Sequence, residues 1–407
     1  MGGAPLSTLT ANPDFASADF LKSHIRQTLD FYFPRAIDRE AGGFFNAYAV
    51  DGTIYDRHVR HIVGMTRFTY IASVGTALFD DPVLRGAVDH GLDFLETAQR
   101  DPVSRGYAWA LRDRTVVDGS LKAYGHAFVL LAHSIAARLA GAKGARIADV
   151  ADLIVDRFIE GPEQLALEAY DAGWTNPDTY RGQNANMHLC EAMIAAYEAT
   201  GDKAYLDRAA HIARRIAIDF PADNGGFIHE HFTSDWKVDR EAARRANDHT
   251  FRPEGFQPGH HAEWCKLLLT LYRLTGEEIY KTRSVEIFDL AVAPFWDEAR
   301  GGGFYYTFDE ALQPIDKDKH HWLVSEAFSA AFLLYKATGE ARFLDWYNKI
   351  WTWTWAHMID RERGGWYVRV DENNQRYPDD PKSPPYKTDY HAISNCYEVL
   401  RALGAAE

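Results

Sequence analysis

A short turn in which glycine precedes aromatic residues recurs six times along the chain, and this repetition constrains the fold more than any other feature of the sequence. The six copies are GGFFNAY from Gly42, RGYAWAL from Arg105, AGWTNPD from Ala172, GGFIHEH from Gly225, GGGFYYT from Gly301 and GGWYVRV from Gly364. Their last glycines, at positions 43, 106, 173, 226, 303 and 365, are 53 to 77 residues apart. Spacing of this kind indicates an array of similar structural units.

A second repeat lies between some of these turns and identifies the unit. The segments YEATGDKAYLDRA, YRLTGEEIYKTRS and YKATGEARFLDWY begin at Tyr197, Tyr272 and Tyr335. Each has a glycine where one helix would stop, followed by the start of another helix, which is typical of an αα-hairpin. Six units of two helices each predict an all-α fold in which six hairpins form a ring, an (α/α)6 barrel.

Apolar residues at a spacing of three to four predict where the helices lie. Twelve segments show this pattern: roughly 17–32, 60–78, 84–99, 121–140, 146–158, 184–200, 203–219, 259–275, 278–293, 321–338, 341–358 and 389–404. Between them, the aromatic runs at 304–308 and 366–370 alternate in the manner of brief strands or hairpins. We therefore expect short β-hairpins in the loops on one face of the barrel.

The helical pattern predicts a single domain over residues 1–407, with residues 1–16 as a frayed tail. No glycine/serine-rich or proline-rich linker divides the chain. The proline-dense segment 377–386 is predicted to be an ordered loop across one face. The longest irregular insertion is 235–256, for which a lid, a subunit contact and a solvated surface loop all remain open.

Charge and cysteine content exclude some classes of function. A net charge of −14 argues against nucleic acids and anionic membranes as partners, since both select basic patches. The three cysteines show no paired framework, as expected in a reducing cytosol. No apolar run reaches the length of a membrane span or resembles a signal peptide. We therefore expect a cytoplasmic protein without nucleic acid or membrane partners, while the sequence leaves a homo-oligomer open.

Histidine and glutamate gather at the predicted starts of several helices. In PGHHAEW, His260 and Glu263 are three residues apart and share a helix face, so that the carboxylate can orient the imidazole. His188 and Glu191 have the same spacing, and His391 opens the last helix. In a closed ring these helix starts meet at one central cavity. Histidine is the usual general acid or base near neutral pH, so the pattern predicts an acid/base active site.

Other residue types found in polar sites occupy neighbouring positions. The candidates are Arg67, Tyr124, Asn184, Asn186, Trp322 and Glu326, whereas His261 is expected to be structural. The step from His260 to Glu263 is not the HExxH zinc motif, and no cysteine or aspartate cluster accompanies it. Phosphate-binding glycine motifs and a GxSxG elbow are also missing from the sequence. We therefore expect neither a metal nor a cofactor.

At these segments the chain resembles the N-acylglucosamine 2-epimerase superfamily, whose members are (α/α)6-barrel sugar epimerases and isomerases. The likeness extends from about Phe20 to Leu403 and rests on PGHHAEW, DYHAISNCYE, NANMHLCEA, TRFTYIAS and WLVSE. It implies two catalytic histidines, His260 and His391, and a partner carboxylate, Glu263. It also implies substrate binding by the following residues: Arg67, Asn186, His188, Trp322 and Glu326.

Within the superfamily these segments are most similar to the aldose–ketose isomerase branch, which includes mannose and sulfoquinovose isomerases and works without a metal. This resemblance implies proton transfer between C2 and C1 of a monosaccharide through a cis-enediol, with D-mannose and D-fructose as the expected pair and D-lyxose and D-xylulose also open. His391 would move the C2 proton and His260 would serve the ring oxygen, or the reverse. Arg67 would stabilise the enediolate, and the following would hold hydroxyl groups: Tyr124, Asn184, Asn186, His188 and Glu326. Trp322 would supply an apolar wall.

Three other functions remain open at this point. A sugar 2-epimerase needs nearly the same residues, because it differs only in returning the proton to the opposite face of C2. A glycoside hydrolase needs two carboxylates, for which Glu263 and Glu326 are the candidates. A binding protein with a decayed site is the third, although every matched position carries a chemically competent residue. A sulfonated sugar would require an extra cation, for which there are four candidates: Arg181, Arg240, Arg244 and Lys387.

Overall fold

The computed structural model describes residues 12–245 and 252–406. Twelve α-helices of eleven residues or more follow one another within these ranges: α1 (Ala18–Tyr32), α2 (Ile62–Leu78), α3 (Pro82–Phe94), α4 (Ala123–Ala140), α5 (Ile147–Phe158), α6 (Gln183–Thr200), α7 (Lys203–Ala213), α8 (Pro258–Thr275), α9 (Glu278–Ala291), α10 (His321–Thr338), α11 (Ala341–His357) and α12 (Tyr390–Ala402). Each coincides with one of the twelve segments expected from the sequence. Two π-helical turns, Leu95–Gln99 and Arg214–Asp219, extend α3 and α7.

The helices form two concentric rings. The even-numbered helices contact one another in the closed order α2, α4, α6, α8, α10, α12 and back to α2. Each odd-numbered helix packs outside one of them, with α3 on α2, α5 on α4, α7 on α6, α9 on α8, α11 on α10 and α1 on α12. The expected (α/α)6 barrel is therefore confirmed.

Burial explains why helices of two kinds alternate along the chain. All residues of α2 from Ile62 to Thr76 are buried, because an inner helix is covered on every side. The outer helix α3 buries only Leu84, Ala87, Val88, Gly91, Leu92 and Phe94, which form one amphipathic stripe. The sequence pattern thus distinguishes the inner ring from the outer ring.

The hairpin glycines act as expected. Gly201, Gly276 and Gly339 cap α6, α8 and α10 with φ values of 73, 75 and 75°. Their N–H groups donate to the carbonyls of Tyr197, Tyr272 and Tyr335, so the helix is closed by a left-handed residue that glycine adopts without strain.

Short antiparallel strands connect neighbouring repeats at one end of the barrel. They are β1 (Ala47–Tyr48), β2 (Ile54–Asp56), β3 (Val59–His61), β4 (Ala110–Arg112), β5 (Thr115–Asp118), β6 (Leu121–Lys122), β7 (Ile159–Glu160), β8 (Leu165–Ala166), β9 (Ala169–Tyr170), β10 (Arg181–Gly182), β11 (His231–Phe232), β12 (Lys319–His320) and β13 (Arg369–Val370). Four inner helices, α2, α4, α6 and α10, are each preceded by a strand: β3, β6, β10 and β12, respectively. These strands pair with β4, β9, β11 and β13, in that order. Each partner strand follows the next outer helix along the chain. This pairing fixes where these four inner helices begin.

The structure differs from the sequence predictions in three segments: two aromatic runs and the N-terminal tail. The aromatic run 304–308 forms isolated bridges, from Phe304 to Trp296 and from Phe308 to Phe256, because its partners are single residues of other loops. In the run 366–370 only Arg369–Val370 is a strand. Residues 1–11 of the expected tail lie outside the described residues, but Phe15 is buried and stacks on Trp351 at 5.5 Å, so the ordered chain begins before residue 17.

The two irregular segments singled out in the sequence lie at the same end as the short strands. In the insertion 235–256, Ala242–Arg245 form a short helix, and 246–251 lie outside the described residues. The proline-dense segment 377–386 is ordered as expected, since Ser383 forms a bridge with Tyr48 and Lys382 is buried. Three further short helices, Phe220–Ala222, Ala293–Phe295 and Glu298–Arg300, lie in loops. Among the described residues no helix has the length and hydropathy of a membrane span.

Candidate active site

A cavity of about 520 Å³ lies where the inner helices begin. The helices contribute the following lining residues: Arg67, Tyr124, Asn184, His188, His260, Glu263, His321, Trp322 and His391. Loops and two short strands, β12 and β13, complete the wall with the following residues: Pro253, Gln257, Tyr306, Asp316, His320, Val368, Arg369, Asp380, Pro381, Pro384, Tyr386 and Lys387. Six helix starts and the proline-dense loop therefore meet at one cavity, as their positions in the repeats predict.

His391 lies in the first turn of α12, and the two residues before this helix, Thr388 and Asp389, have a left-handed backbone conformation. Its Nδ1 lies 2.7 Å from Oε1 of Glu326, which is fully buried. A carboxylate at this distance accepts a hydrogen bond from Nδ1–H and leaves Nε2 unprotonated, with its lone pair toward the Arg67 guanidinium. Burial and the nearby charge of Arg67 lower the pKa of His391 well below its usual value. His391 is therefore a neutral imidazole with a basic Nε2.

Arg67 lies beside that basic nitrogen. Its Nη2 atom lies 3.2 Å from His391 Nε2 and also 3.2 Å from the Tyr124 hydroxyl oxygen. Its Nη1 atom donates to the carbonyl of Tyr386 at 2.7 Å. Within residues 12–245 and 252–406 no carboxylate lies within 4.0 Å of the guanidinium. Its charge is therefore available to a ligand oxygen beside the base.

His260 is held by a carboxylate that the sequence did not reveal. Its Nδ1 lies 2.8 Å from Oε2 of Glu230, which also accepts from the amide of Gln183 at 2.9 Å. Burial alone would raise the pKa of Glu230, but the charge and hydrogen bond of His260 outweigh it, and the net pKa is lowered. The expectation that Glu263 orients His260 is wrong, because Glu230 occupies that position. Glu230 lies in GGFIHEH, one of the six repeated turns, which is the signal that could have found it.

Glu263 instead lines the cavity. It is 1% exposed, and neither side-chain oxygen has a hydrogen-bond partner among the described residues. Burial and the nearby carboxylate of Glu326 raise its pKa well above the usual value. The raised pKa favours the protonated form, which can donate a hydrogen bond.

The second predicted histidine–glutamate pair forms as expected. His188 Nδ1 lies 3.1 Å from Oε2 of Glu191, and the hydroxyl of Tyr390 donates to Oε1 of Glu191 at 2.6 Å. The ring of His188 packs against Tyr124 at 4.9 Å. This places His188 on the wall of the cavity near Arg67.

Two predicted ligands of hydroxyl groups lie behind the wall. The Asn186 side chain accepts a hydrogen bond from the backbone N–H of Ala166 at 2.8 Å and donates one to the Ala166 carbonyl at 3.0 Å. Asn186 therefore supports the backbone at Ala166, whereas Asn184 lines the cavity. Glu326 is occupied by His391 and by Asn395, whose amide donates to it at 2.7 Å. The two residues therefore have supporting positions, in contrast to their expected role.

Trp322 forms the wall between the two candidate histidines. Its ring centroid lies 5.2 Å from that of His260 and 5.7 Å from that of His391. Gly259 makes this approach possible, since a Cβ at that position would lie 2.4 Å from the Trp322 ring. The neighbouring His261 is structural as expected: its Nδ1 is 2.8 Å from the Gln257 carbonyl and its Nε2 accepts from the N–H of Ile228 at 3.0 Å.

The donor atoms of the site also fall into two groups that could in principle hold a cation. These are His188, Glu191 and Glu263, and Glu263, Glu326 and His391, with donor atoms within 4.8 Å of one another. The second group already contains a positive charge, because the ammonium of Lys266 lies 2.7 Å from Oε2 of Glu326. Metal independence stays a prediction that chelation tests.

Comparison with known proteins gives a consistent family assignment. The model of the family described as N-acylglucosamine 2-epimerase matches residues 43–395. A D-mannose isomerase of Marinomonas mediterranea is 40% identical over 96% of this chain and 99% of its own, and one of Thermobifida fusca is 37% identical over 75% and 76%. A crystal structure of a D-mannose isomerase superposes with a TM-score of 0.92 at 40% identity, covering 96% of this chain and 100% of the other. A cellobiose 2-epimerase from Bacillus thermoamylovorans shares the fold: it is 18% identical and superposes with a TM-score of 0.82. The superposition covers 94% of this chain and 100% of the other.

Proposed function

Because the chain belongs to the N-acylglucosamine 2-epimerase family, we propose that it is a D-mannose isomerase, an enzyme that interconverts D-mannose and D-fructose. The observation that carries the proposal is the pair formed by the basic Nε2 of His391 and the uncompensated guanidinium of Arg67, 3.2 Å apart. An aldose–ketose isomerase needs this combination, because the carbon acid must lose a proton beside a group that stabilises the oxyanion. The D-mannose isomerases similar to this chain support the choice of sugar.

In this mechanism His391 Nε2 takes the proton from C2 of the open-chain aldose. The C2–H electron pair forms the C1–C2 double bond, and the carbonyl pair moves to O1, where Arg67 stabilises the negative charge. The O2 proton passes to O1, and the imidazolium returns its proton to C1, which gives the ketose. One base on one face of the cis-enediol is enough for both steps, and this distinguishes isomerisation from 2-epimerisation.

His260 serves the ring oxygen in this proposal. Its Nδ1 is bonded to Glu230, so that its Nε2 can exchange a proton with O5 or with the anomeric hydroxyl as the pyranose opens. The carboxylic acid of Glu263 donates a hydrogen bond to a substrate oxygen. His188, Asn184 and Tyr124 contact other hydroxyl groups from the wall.

Charge in and around the cavity favours a neutral sugar over a sulfonated or phosphorylated one. Each of the four cations considered for an anionic group is neutralised by a carboxylate: Arg181 by Glu160, Arg240 by Glu310, Arg244 by Glu241 and Glu254, and Lys387 by Asp389. Arg369, which lines the cavity, pairs with Asp318 and Asp380. An added sulfonate would have to compete with these carboxylates. This supports mannose and lyxose over sulfoquinovose.

A glycoside hydrolase is not supported by the carboxylates. Glu263 and Glu326 have oxygens within 4.8 Å of each other, and Glu326 is fully buried against His391. A hydrolase needs carboxyl groups about 5–5.5 or 6.5–9.5 Å apart on either side of an accessible bond. The two histidines would also have no task in such a reaction.

Proton NMR of the protein with D-mannose in D2O, with EDTA present, tests the proposal. Fructose with deuterium at C1 is the expected product. Glucose with deuterium at C2 and no fructose would make the protein a 2-epimerase. Conversion of sulfoquinovose but not mannose would contradict the argument from charge, and activity lost with EDTA and restored by zinc or manganese would contradict metal independence.

A further inference from the structure

A buried lysine lies behind the candidate active site and has no role in the mechanism above. Lys266 follows Glu263 by three residues on α8 and is 4% exposed. Its ammonium lies 2.7 Å from Oε2 of Glu326, whose other oxygen faces His391 Nδ1 at 2.7 Å. Lys266, Glu326 and His391 thus form a chain of three charged or polar groups from three different inner helices.

The acidic surroundings of Lys266 explain why the charge matters. Its pKa is affected most by burial, which lowers it, but the carboxyl groups of Glu326, Glu263 and Glu191 outweigh burial and raise it. Carboxyl oxygens of Glu263 and Glu326 lie within 4.8 Å of each other, so the pair holds a proton readily. The ammonium lies 2.7 Å from Glu326 and supplies a positive charge on that side of the pair, which favours a negative charge on Glu326 over one on Glu263.

The state of Glu326 controls which nitrogen of His391 is basic. A carboxylate accepts the Nδ1 proton and leaves Nε2 free to take a proton from the substrate. A protonated Glu326 would donate to Nδ1 instead, and the imidazole would then carry its proton on Nε2. That tautomer cannot accept a proton from C2.

We propose that Lys266 is a positioning residue that keeps Glu326 ionised and thereby holds His391 in the tautomer with a basic Nε2. The proposal rests on the proposed isomerase function for its kinetic consequences, but the tautomer itself is a property of the protein without substrate. The charged and titratable groups that face this cluster are Arg67 on α2, His188 and Glu191 on α6, Glu263 on α8, and Tyr390 and Glu398 on α12.

The test compares Lys266→Met with Lys266→Arg. In Lys266→Met we expect kcat to fall about 100-fold or more, within the range contributed by acid/base groups, while KM changes less than about threefold. The acidic limb of the kcat–pH profile moves to higher pH, because the positive charge beside the Glu326 carboxyl group is gone. Lys266→Arg keeps the charge and restores kcat to within about tenfold of the wild type.

The spectroscopic part of the test uses protein labelled with ¹⁵N-histidine and no substrate. The Nδ1–H resonance of His391, assigned by its loss in His391→Ala, should be present in the wild type and Lys266→Arg and replaced by an Nε2–H resonance in Lys266→Met. Lys266→Gln gives the same comparison where the methionine variant does not fold.

Two outcomes overturn the proposal. One is an unchanged tautomer and acidic limb in Lys266→Met or Lys266→Gln, whatever the loss of kcat, which would mean that Lys266 has only a structural role. The other is the absence of the His391 Nδ1–H resonance from a Lys266→Arg variant that is folded. A wild type that shows the Nδ1–H resonance but does not isomerise mannose would instead contradict the proposed function and leave the assignment of Lys266 intact.

Discussion

At the scale of single residues, the two candidate histidines differ in what holds them. His391 is bonded to a carboxylate that is fully buried and paired with an ammonium, whereas His260 is bonded to Glu230, which also accepts from Gln183. Among the described residues a guanidinium lies at the other nitrogen of His391 but not of His260. This difference supports the proposal that His391 transfers the proton at carbon and that His260 serves ring opening.

Removing either histidine should abolish turnover without unfolding the protein. We expect His391→Ala and His260→Ala each to lower kcat by about 10²–10⁴-fold, the usual contribution of a general acid or base. Neither ring is part of the apolar core, so the melting temperature should change little. His260→Ala should retain more activity toward open-chain substrate than toward pyranose, and substantial turnover by His391→Ala would rule out its assigned role.

Glu230 should matter for catalysis although it is not among the residues that line the cavity. In Glu230→Gln the amide can present its N–H to His260 Nδ1, which favours the other tautomer of the imidazole. We expect kcat to fall about 100-fold with little change in the melting temperature. Glu241→Gln, at an exposed carboxylate paired with Arg244, is the matched control and should be fully active. Wild-type kcat in Glu230→Gln would show that the Glu230 contact is not needed.

Sequence reasoning found the residues of the site that lie at helix starts, but it assigned Glu326 and Asn186 as ligands rather than supports and missed Glu230. The spacing of three predicted the contact of His188 with Glu191 and failed for His260, whose partner comes from a loop 30 residues earlier. A helical spacing shows which side chains share a face, but the choice between that neighbour and a residue of another element depends on the tertiary structure. Lys266 was missed for the same reason.

At the scale of elements, several of the repeated glycine-aromatic turns are held by residues of an inner helix or of the segment that precedes one. His126 and His261 each approach the carbonyl four residues earlier with Nδ1, at 2.8 Å, and accept a turn N–H with Nε2. Lys319 and Lys382 contact the carbonyls of Gly302 and Gly364 in two other turns. For these four turns the sequence repeat therefore corresponds to buried contacts that dock the turn against the barrel.

Removing one of these buried cations should destabilise the barrel. Lys382 is fully buried, with its ammonium 2.6 Å from Oδ2 of Asp360 and 3.1 Å from the carbonyl of Gly364. Lys382→Met leaves that carboxylate buried without its partner, which costs about 3–5 kcal/mol in the free energy of unfolding. Urea denaturation measures this loss.

The control for this prediction is an exposed pair of the same chemistry. Lys203 and Asp207 are both largely exposed, so Lys203→Met should change the free energy of unfolding by less than about 1 kcal/mol. Equal effects of the two lysine substitutions would contradict the idea that burial decides the cost.

The helices were predicted from the sequence far better than the strands. Each helix contains ten or more residues whose apolar spacing can be recognised, and glycine marks several of the ends. The strands contain two to four residues and pair across separate repeats, so their partners lie far apart in the chain. The run 304–308 had the composition of a strand but met only single residues of other loops.

At the scale of the whole molecule, the barrel closes by bringing the ends of the chain together. Helix α1 packs on α12, and the hydroxyl of Tyr347 on α11 donates to the carbonyl of Phe15 at 2.6 Å. The repeats predicted a ring, but nothing in the spacing of the repeats showed that the residues before α1 join it. That contact depends on one aromatic residue, Phe15, in a segment that is otherwise small and polar.

Closure of the rings also buries several histidines as neutral groups, and the stability of the whole barrel should depend on pH for that reason. Burial lowers the pKa values of His24, His126 and His261 to about 4, compared with 6.5 in an exposed histidine. Between these values the unfolded chain binds protons that the folded barrel does not. The free energy of unfolding is therefore greatest above pH 6.5 and falls as the pH is lowered toward 4, by about 3 kcal/mol for each such histidine.

Urea denaturation at intervals from pH 7.5 to 4 measures this dependence, and variants separate the histidines from the carboxylates. In His126→Asn the slope of unfolding free energy against pH between 6.5 and 4 should decrease by up to about 1.4 kcal/mol per pH unit, because one proton fewer is taken up on unfolding. His58→Asn, at an exposed histidine beside Asp113, should keep the wild-type slope. An unchanged slope in His126→Asn would mean that His126 is protonated in the folded barrel, and its hydrogen bond from the N–H of Tyr107 could not then exist.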